Sequence, residues 1–415
     1  MTTISDNSSE LHISSFQKFV TWILVLSPIL QTYGWGKYDF AFILTSIAGV
    51  LAIINKQFDY KKLPKFLLLY LCYLFFVHII SATSIQSSIS LGAIKTILVY
   101  GTFFSVIPLT LLIRYYQYVV RISIAFFIIQ LIIKFVFSIN LLGVFSFLPN
   151  ALGVDSSEYF ADRMSSDRLS SFFSEPAIFA QYLVPYFCLI LFDKHQARNS
   201  KLVSAVFLVV IFVLMQSGNA LFGLSSCIVI FFLFRMRGGV SRKIQTVFLA
   251  SLLLVSGFFF FQTEMGEKLL SRKDQVSINS VENLGYSTSG FERIFRGYYI
   301  YAEYSTFCKI VGNDNPDYKK ASALKSLVGD LFSTDTEDFL YCNTFQMVLI
   351  NTGLIGLIIM FLAFKGIWQT TNCCGKDMLL TFFAFSLFTA TYLSEIMCLY
   401  LLIPTLMGRT KTNYE

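Results

Sequence analysis

The sequence predicts an all-α polytopic integral membrane protein with about twelve transmembrane helices and two external loops. Three observations support this prediction. Of the 415 residues, 55% are apolar and only 14% are charged, whereas soluble domains carry about 25% charged residues. Apolar runs recur along the chain at the length that a bilayer core requires, roughly 20 residues for a helix. Aromatic residues reach 17%; Phe suits lipid-facing positions, and Tyr suits the membrane interface.

The apolar runs give approximate bounds for each span. The predicted helices lie at 19–34, 38–55, 64–83, 91–113, 117–137, 176–192, 202–216, 218–235, 245–262, 343–365, 377–391 and 393–408. They divide the chain into helices 1–5 at 1–137, a first external loop at 138–175, helices 6–9 at 176–262, a large external loop at 263–342 and helices 10–12 at 343–415.

Two of these helix pairs require tight turns. The stretch from Met378 to Met407 would form about 45 Å of helix at 1.5 Å per residue, which is too long for one vertical span. We therefore expect two short helices that turn near Ser394 and Glu395. The pair 202–216 and 218–235 is expected to reverse around Gly218, where Ser, Gly and Asn follow one another.

Lysine and arginine in the short loops predict the orientation. One side of the predicted membrane holds Lys18, Lys56, Lys61, Lys62, Lys65, Arg114, Arg121, Lys194, Arg198, Lys201, Arg235, Arg237, Arg242, Lys243, Lys365, Lys376, Arg409 and Lys411. The short loops of the other side hold Lys37 and little else. Both termini are therefore expected in the cytoplasm. No cleaved signal peptide is expected, because the first apolar run is nearly full length and lacks a small-residue cleavage site.

The two long loops are where chemistry is expected, because long loops in compact proteins are usually functional or disordered. The large loop carries nine Lys or Arg and twelve Asp or Glu, so its net charge is −3. It is not a general basic patch and gives no indication of nucleic-acid binding. Any anion site in this loop has to be built from particular arginines.

Cysteine and histidine patterns exclude several kinds of chemistry. The chain has three histidines, and the adjacent Cys373 and Cys374 lack metal-ligand spacing, so no metal site is expected. No phosphate-binding glycine loop or dinucleotide fingerprint occurs, and no cofactor is expected. Only Cys308 and Cys342 fall in the external loops. A disulfide between them in an oxidising compartment is one alternative, and two free thiols are the other.

The first candidate site precedes the sixth predicted span. Arg168 is followed by Glu175 and Pro176; proline suits the first position of a helix, and a helix N-terminus beside an arginine can bind an anion. Arg163 is the other cation of this loop. The alternative is that Glu175 only complements the start of the helix and Arg168 contacts lipid headgroups.

The second candidate site lies in the large loop. If the stretch around Glu292 is helical, Arg293 and Arg296 share a face. Two arginines three residues apart can bind a pyrophosphate through bidentate hydrogen bonds. The alternative is an amphipathic helix on the membrane surface, with both arginines on lipid phosphates.

Lys95, Lys134 and His78 fall within predicted spans, where ionisable residues are candidates for function. Lys95 is the better candidate for contact with a lipid pyrophosphate. Lys134 lies near the external end of its span, and snorkelling to the headgroups is the simpler explanation. His78 is interpreted as a hydrogen-bonded residue of the helix bundle rather than as a catalyst.

These motifs, in this order, resemble those of the Wzy-type polysaccharide polymerases, within the O-antigen ligase/polymerase superfamily. The block from Arg168 through Ser171 and Phe173 to Pro176 is similar to a block that recurs in that family. Arg296, followed after fifteen residues by Gly312, resembles the spacing in the large external loop of the family. The run that begins at Asn343 and leads into 351–356 resembles the start of the next span.

Two features qualify the resemblance. The first external loop lacks a matching arginine-to-glycine spacing, because Val184 stands where Arg168 would require a glycine. The ligase branch of the superfamily places a functional histidine just before the asparagine of the last loop block, whereas this chain has Cys342 there. That difference favours a polymerase over a ligase.

The resemblance implies a metal-independent glycosyltransferase whose substrate is an oligosaccharide repeat on undecaprenyl pyrophosphate. The growing glycan would move from one lipid pyrophosphate to another lipid-linked repeat at the periplasmic face, in O-antigen, capsule or exopolysaccharide synthesis. Arg168, Arg293 and Arg296 would stabilise the departing pyrophosphate, and Glu175, or secondly Glu292, would accept the proton of the acceptor hydroxyl. Further substrate-binding candidates are Arg163, Gly312, Lys95 and Asn343. The resemblance also implies the bacterial inner membrane as the location, with membrane lipids and a chain-length regulator as partners.

Two other functions compete with this one. An O-antigen ligase would share the overall topology. A flippase for lipid-linked oligosaccharides would share the hydrophobicity and the basic cytoplasmic loops, but it would not require a loop of about 80 residues, and no inverted repeat between the halves is found.

Overall fold

The protein is described by a computed structural model that covers residues 13–35, 38–81, 91–143, 148, 169–192, 198–236, 292–326 and 342–412. These residues are mostly helical. The helices before the first long loop are α1 (Ser15–Leu30), α2 (Phe40–Ile54), α3 (Lys65–Ser81), α4 (Leu91–Val106) and α5 (Leu109–Phe137). Between α1 and α2, strands β1 (Gly34–Trp35) and β2 (Tyr38–Asp39) form a small antiparallel hairpin, and a 3-10 turn (Tyr60–Lys62) precedes α3.

The remaining helices fall into three groups. The central group is α6 (Pro176–Phe192), α7 (Arg198–Leu214) and α8 (Gly218–Met236). The large loop contains a π-helix (Glu292–Arg296) followed by the short helices α9 (Gly297–Ala302), α10 (Thr306–Val311) and α11 (Pro316–Lys325). The last group is α12 (Thr344–Thr370), α13 (Cys373–Ser386) and α14 (Glu395–Thr412).

Helices occupy the predicted positions throughout the described residues, and the segment predicted at 245–262 lies outside them. The expected turns are confirmed: α7 and α8 are separated by 215–217, and α14 begins at Glu395. Helix α1 starts earlier than predicted because Ser14 and Gln17 form a capping box.

The boundary between the fourth and fifth helices differs most from the prediction. The sequence-based helix at 91–113 ends in the structure at Val106, and α5 continues unbroken from Leu109 through the expected loop near Arg114. Proline explains the shift, because Pro108 cannot continue a helix and disfavours helical geometry at the residue before it. The exposed carbonyls at the end of α4 find donors elsewhere: Arg409 donates to Phe104, and Lys62 donates to Ser105 at 2.8 Å.

Helix α6 forms the centre of the bundle. It packs against α5, α7, α8, α13 and α14, and almost every one of its side chains is buried. An apolar helix with no polar face suits such a position. Around it, one hydrophobic core extends through both halves of the chain, from α1 to α14.

A tyrosine hydroxyl bonds to the backbone of α6 beside Pro185. Pro185 has no N–H and lies in the helix interior, which disrupts the backbone hydrogen bonds there. The hydroxyl of Tyr116, on α5, donates to the carbonyl of Tyr182 and accepts from the N–H of Tyr186 at 3.1 Å. The buried hydroxyl therefore satisfies two backbone groups of α6 next to the proline.

Among the described residues, two helices are long and apolar enough to cross a membrane, α5 and α12. Only 33% of the most apolar window of α5, and 44% of that of α12, is buried inside the protein. In the core helix of a soluble protein, most of such a window would be buried. These two helices instead present apolar surface outward.

We expect the Tyr116→Phe variant to destabilise the bundle by about 1–3 kcal/mol, because two buried backbone groups lose their partner. Thermal unfolding of the detergent-solubilised protein measures this loss. Tyr115→Phe is the matched control, since this adjacent ring stacks on Trp22. Equal unfolding temperatures for the two variants would contradict this role of the Tyr116 hydroxyl.

Candidate functional site

The described part of the large loop docks on the ends of α3 and α12. Helices α9 and α10 pack against α12, and residues 311–315 reach the last turns of α3 through hydrogen bonds. Beneath the loop lies a small hydrophobic cluster of Ile300, Tyr304, Ala323, Cys342 and Ile350. The loop is therefore anchored to two helices that are far apart in sequence.

Two glycines allow this docking. Gly312, which ends α10, has φ +93° and ψ 172°, and Gly353, at a kink in α12, has φ +60° and ψ −165°. Both conformations lie in a region that is essentially restricted to glycine. A Cβ on Gly312 would lie 2.4 Å from the carbonyl oxygen of Asn351, and one on Gly353 would lie 2.5 Å from the nitrogen of Gly312. The two backbones meet at a distance that no side chain permits.

The turn after Gly312 is held by hydrogen bonds at each residue. Asn313 donates its N–H to the carbonyl of Ile350 at 3.2 Å, and its side-chain oxygen accepts from Asn315 at 2.9 Å. Asp314 donates its N–H to the hydroxyl of Ser81 at 3.1 Å. Asn315 caps α11 and donates its side-chain amide to the carbonyl of Ser81 at 3.3 Å. The turn consequently has a fixed position relative to α3.

This turn places a carboxylate between two nitrogen groups. One oxygen of Asp314 lies 2.9 Å from Nδ1 of His78, on the last turn of α3. The other oxygen accepts from the ammonium of Lys319, on α11, at 2.7 Å. The side chains are 12% exposed for His78, 25% for Asp314 and 7% for Lys319. The group is thus sheltered, while the carboxylate and the imidazole still reach the surface.

Arg296 lies at the end of the π-helix and is only 3% exposed. Its segment is fixed to the first turn of α12, because Gln346 donates to the carbonyl of Ile294 at 2.6 Å. Gly297 packs so closely on Gln346 that a Cβ there would lie 2.6 Å from the glutamine side chain. Asn343 forms the capping box of α12 together with Gln346. Arg296 and Asn343, two of the predicted site residues, therefore both lie near the start of α12.

The backbone around Arg293 differs from the expected geometry. The shared face of Arg293 and Arg296 assumed an α-helix, whereas Glu292–Arg296 is a π-helix and the α-helix begins only at Gly297. A π-helix has more residues per turn than an α-helix. Residues three apart therefore fall further short of a full turn, and their side chains point in more different directions than in an α-helix. The side chains of Glu292 and Arg293 lie outside the described part of the structure.

The first candidate site is described only in part. Arg163 and Arg168 lie outside the described residues, as does the side chain of Lys95. Glu175 directly precedes α6, and its carbonyl accepts the N–H of Phe179. The preceding turn is pinned to α5, because Ser171 bonds through its N–H to Gln130 at 2.9 Å and through its hydroxyl to Ser123 at 2.7 Å.

The two cysteines of the large loop are free thiols that pack in the same small cluster, Cys342 buried and Cys308 partly buried. Tyr304 belongs to this cluster too, and its burial, reinforced by the neighbouring Tyr318, raises its phenol pKa well above the ordinary value. Tyr304 therefore remains neutral at physiological pH and acts as a packing residue here.

The sequence analysis missed Asp314 and Lys319 as members of a site and treated His78 only as a bundle residue. His78 does form a hydrogen bond, as expected, but its partner comes from the large loop. The consecutive Gly, Asn, Asp and Asn at 312–315 were the available signal, because these residues favour a tight turn that can present a carboxylate.

Comparison with known proteins adds no identification: no protein-family model matches the sequence, and no curated protein matches it.

We expect Gly312→Ala to weaken docking of the loop by roughly 1–3 kcal/mol, because alanine cannot adopt this backbone conformation without strain. Hydrogen exchange of the amides in 306–326 should become faster than in the wild type. Gly218→Ala is the control, since a Cβ at Gly218 meets open space. Wild-type protection in Gly312→Ala would show that the close approach to Gly353 does not hold the loop.

Proposed function

We propose that the protein is a polytopic inner-membrane protein of about twelve spans. The main support is apolar surface at helical spacing on several helices. Exposed residues include Ile47, Val50 and Ile54 on α2, Ile129, Ile132 and Val136 on α5, Leu202, Val206 and Val210 on α7, and Leu354, Ile358 and Phe361 on α12. Such extensive exposed apolar surface is unfavourable in water and suits lipid. Helices α3 and α6, of 17 residues each, lie at the lower limit for a span, about 17–25 residues.

We place both termini in the cytoplasm and the large loop outside. The hydrogen bonds of Arg409 to Phe104 and Lys62 support this orientation, because they bring basic segments from both halves of the chain to one end of the bundle. The opposite end of α3 carries Ser81, which bonds to the large loop. A bundle with its basic residues at one end follows the positive-inside rule.

This orientation predicts opposite accessibility for two exposed lysines. In a variant without reactive native cysteines, Lys325→Cys should react with a membrane-impermeant maleimide added to intact spheroplasts. Lys61→Cys should react only after the membrane is opened. Both lysines are exposed in the structure, so a lack of labelling reports the side of the membrane. Labelling of both positions from outside would contradict the proposed topology.

We further propose that the protein is a polysaccharide polymerase acting on lipid-linked oligosaccharide repeats. The observation that carries this proposal is Arg296, a nearly buried guanidinium that the large loop holds against the start of α12. A charge that leaves water must gain strong partners, since burial of an ion is costly. An arginine in a fixed position, sheltered from water, suits recognition of a pyrophosphate.

The reaction requires little chemistry from the protein itself. A sugar bound to pyrophosphate is already activated, so an enzyme must bring two lipid-linked substrates together and stabilise the departing pyrophosphate. Arg296 would bind and stabilise the departing pyrophosphate, and Arg168 and Arg293 are the further candidates from the sequence. Gly312 would act indirectly, because its contact with Gly353 positions the loop. Glu175 and Glu292 are the carboxylates that the sequence suggests as proton acceptors.

Reconstitution of the purified protein in liposomes with undecaprenyl-pyrophosphate-linked repeats tests this proposal. We expect the wild type to form chains of several repeats, and Arg296→Ala to reduce turnover by about 10²–10³-fold, which is typical when a donor to a developing charge is removed. Lys325→Ala, an exposed cation of the same loop, is the matched control and should polymerise normally.

Profiling of glycans in the host distinguishes the alternatives. Deletion of a polymerase gene leaves single repeats on the surface. Long lipid-linked chains that never reach the surface would instead indicate a ligase, and repeats confined to the cytoplasmic face would indicate a flippase. Either result, or a wild-type protein without polymerising activity in liposomes, would overturn the polymerase proposal.

A further inference from the structure

A groove on the outside of the bundle runs between α1 and α5, which pack against each other. Its volume is about 230 Å³, and its lining exposes no polar atoms. Trp22, Leu26 and Ile29, which share one face of α1, form one wall, and Tyr118 and Ile122 form the outer wall on α5. Tyr118 is 57% exposed and Ile122 is 42% exposed. The groove therefore opens away from the core, on surface that we assign to lipid.

Stacked aromatic rings stand at both ends of the groove. At one end, Trp22 stacks on Tyr115 with ring centroids 4.5 Å apart. At the other end, Phe172 stacks on Phe126 with centroids 4.2 Å apart. About 16 Å of helix separates Tyr115 from Phe126, at 1.5 Å per residue. Because stacked rings pack strongly and have few rotatable bonds, the two ends of the groove are rigid.

The floor of the groove contains a serine where an apolar residue would pack better. Ser123 is fully buried, and its hydroxyl has no hydrogen-bond partner among the described residues. A buried hydroxyl without a partner is unfavourable, so the serine adds no polar contact between α1 and α5. Its small volume instead leaves the space that a larger side chain would fill.

The end of the groove at Phe172 belongs to the turn that leads into α6. Ser171 has φ +55°, a conformation that residues other than glycine rarely adopt and that surrounding contacts must hold. Its N–H donates to Gln130 at 2.9 Å, and its hydroxyl donates to the carbonyl of Ser123 at 2.7 Å. The strained turn thus keeps Phe172 in the lining of the groove and precedes Glu175, in the first candidate site.

We propose that this groove binds the polyprenyl chain of the lipid-linked substrate, with the pyrophosphate end directed toward the turn before α6. The inference rests on the proposed polymerase function for the identity of the lipid. An outward-facing apolar groove suits a hydrocarbon chain, and its rigid aromatic ends suit the methyl branches of isoprene units. Its continuity with the turn before Glu175 favours the chain of the substrate over that of a free phospholipid.

Binding of the chain would contribute to the reaction without touching the reacting atoms. Contacts with a remote part of a substrate can be used to position its reactive end. A chain held between α1 and α5 restricts the pyrophosphate to the external end of these helices. The groove should therefore affect KM for the lipid-linked repeat more than kcat.

Photocrosslinking locates the chain directly. The full-length protein in phospholipid nanodiscs is irradiated with a polyprenyl phosphate that carries a diazirine on its chain, and the labelled peptides are identified by mass spectrometry. We expect adducts concentrated in 22–29 and 118–123. Excess undecaprenyl phosphate should abolish this labelling, whereas the same excess of phosphatidylglycerol should leave it unchanged.

Ile122→Trp, which places a bulky ring at the groove wall, has a closely matched control. Ile129 lies two turns further along the same face of α5 and is 48% exposed, but it does not line the groove. We expect Ile122→Trp to lose the labelling of 22–29. It should raise KM about tenfold, the effect of losing the burial of about two methylene groups, with kcat unchanged. Ile129→Trp should match the wild type in both measurements.

Ser123→Val tests the floor of the groove without depending on the tryptophan variant. It fills the space and removes the unpartnered hydroxyl, so the unfolding temperature should not fall, while labelling is lost and KM rises. Wild-type labelling and wild-type KM in both Ser123→Val and Ile122→Trp would overturn the inference.

The outcomes separate this inference from the polymerase proposal. If the wild type polymerises but adducts spread evenly over the outward helix faces, or phosphatidylglycerol competes equally well, the inference fails and the polymerase function stands. If labelling is selective but no polymer forms, the site for the polyprenyl chain is supported and the polymerase function is overturned.

Discussion

The close approach of two backbones at Gly312 and Gly353 is the constraint on which the candidate site depends. At this contact a loop helix meets a kinked helix of the bundle with no side chain between them. The contact sets the position of the turn at 313–315, and with it the distance from Asp314 to His78. A larger residue at either glycine would separate the loop from α3 and α12 together.

Inside the bundle, polar side chains fix the positions of the helices relative to one another. The Tyr116 hydroxyl bonds to two backbone groups of α6 beside Pro185, and Arg409 donates to a carbonyl at the end of α4, just before Pro108. In surroundings this apolar, an unpaired backbone group is costly, so these two partners from distant helices stabilise the backbone beside the prolines. These pairings give a bundle of mostly apolar helices one particular arrangement.

The residues that the family resemblance suggests lie near one another in the structure. Arg296, Gly312 and Asn343 all lie where the large loop meets α12. Spacing did not reveal that Arg296 ends a π-helix, because a π-helix depends on packing more than on local preference. Nor did the spacing predict that the backbone of Gly312 lies against that of Gly353, because the two glycines belong to different elements.

By itself, the sequence determined the helices and the uneven distribution of basic residues. Both depend on local composition: apolar runs, proline at 108 and a capping serine at 14 act on their immediate neighbours. Only the tertiary structure decided which polar groups meet. His78 and Asp314 carry no shared local signal, since they lie on separate elements. They meet because α10 packs on α12 and α12 packs on α3, an arrangement set by shape complementarity across the whole bundle.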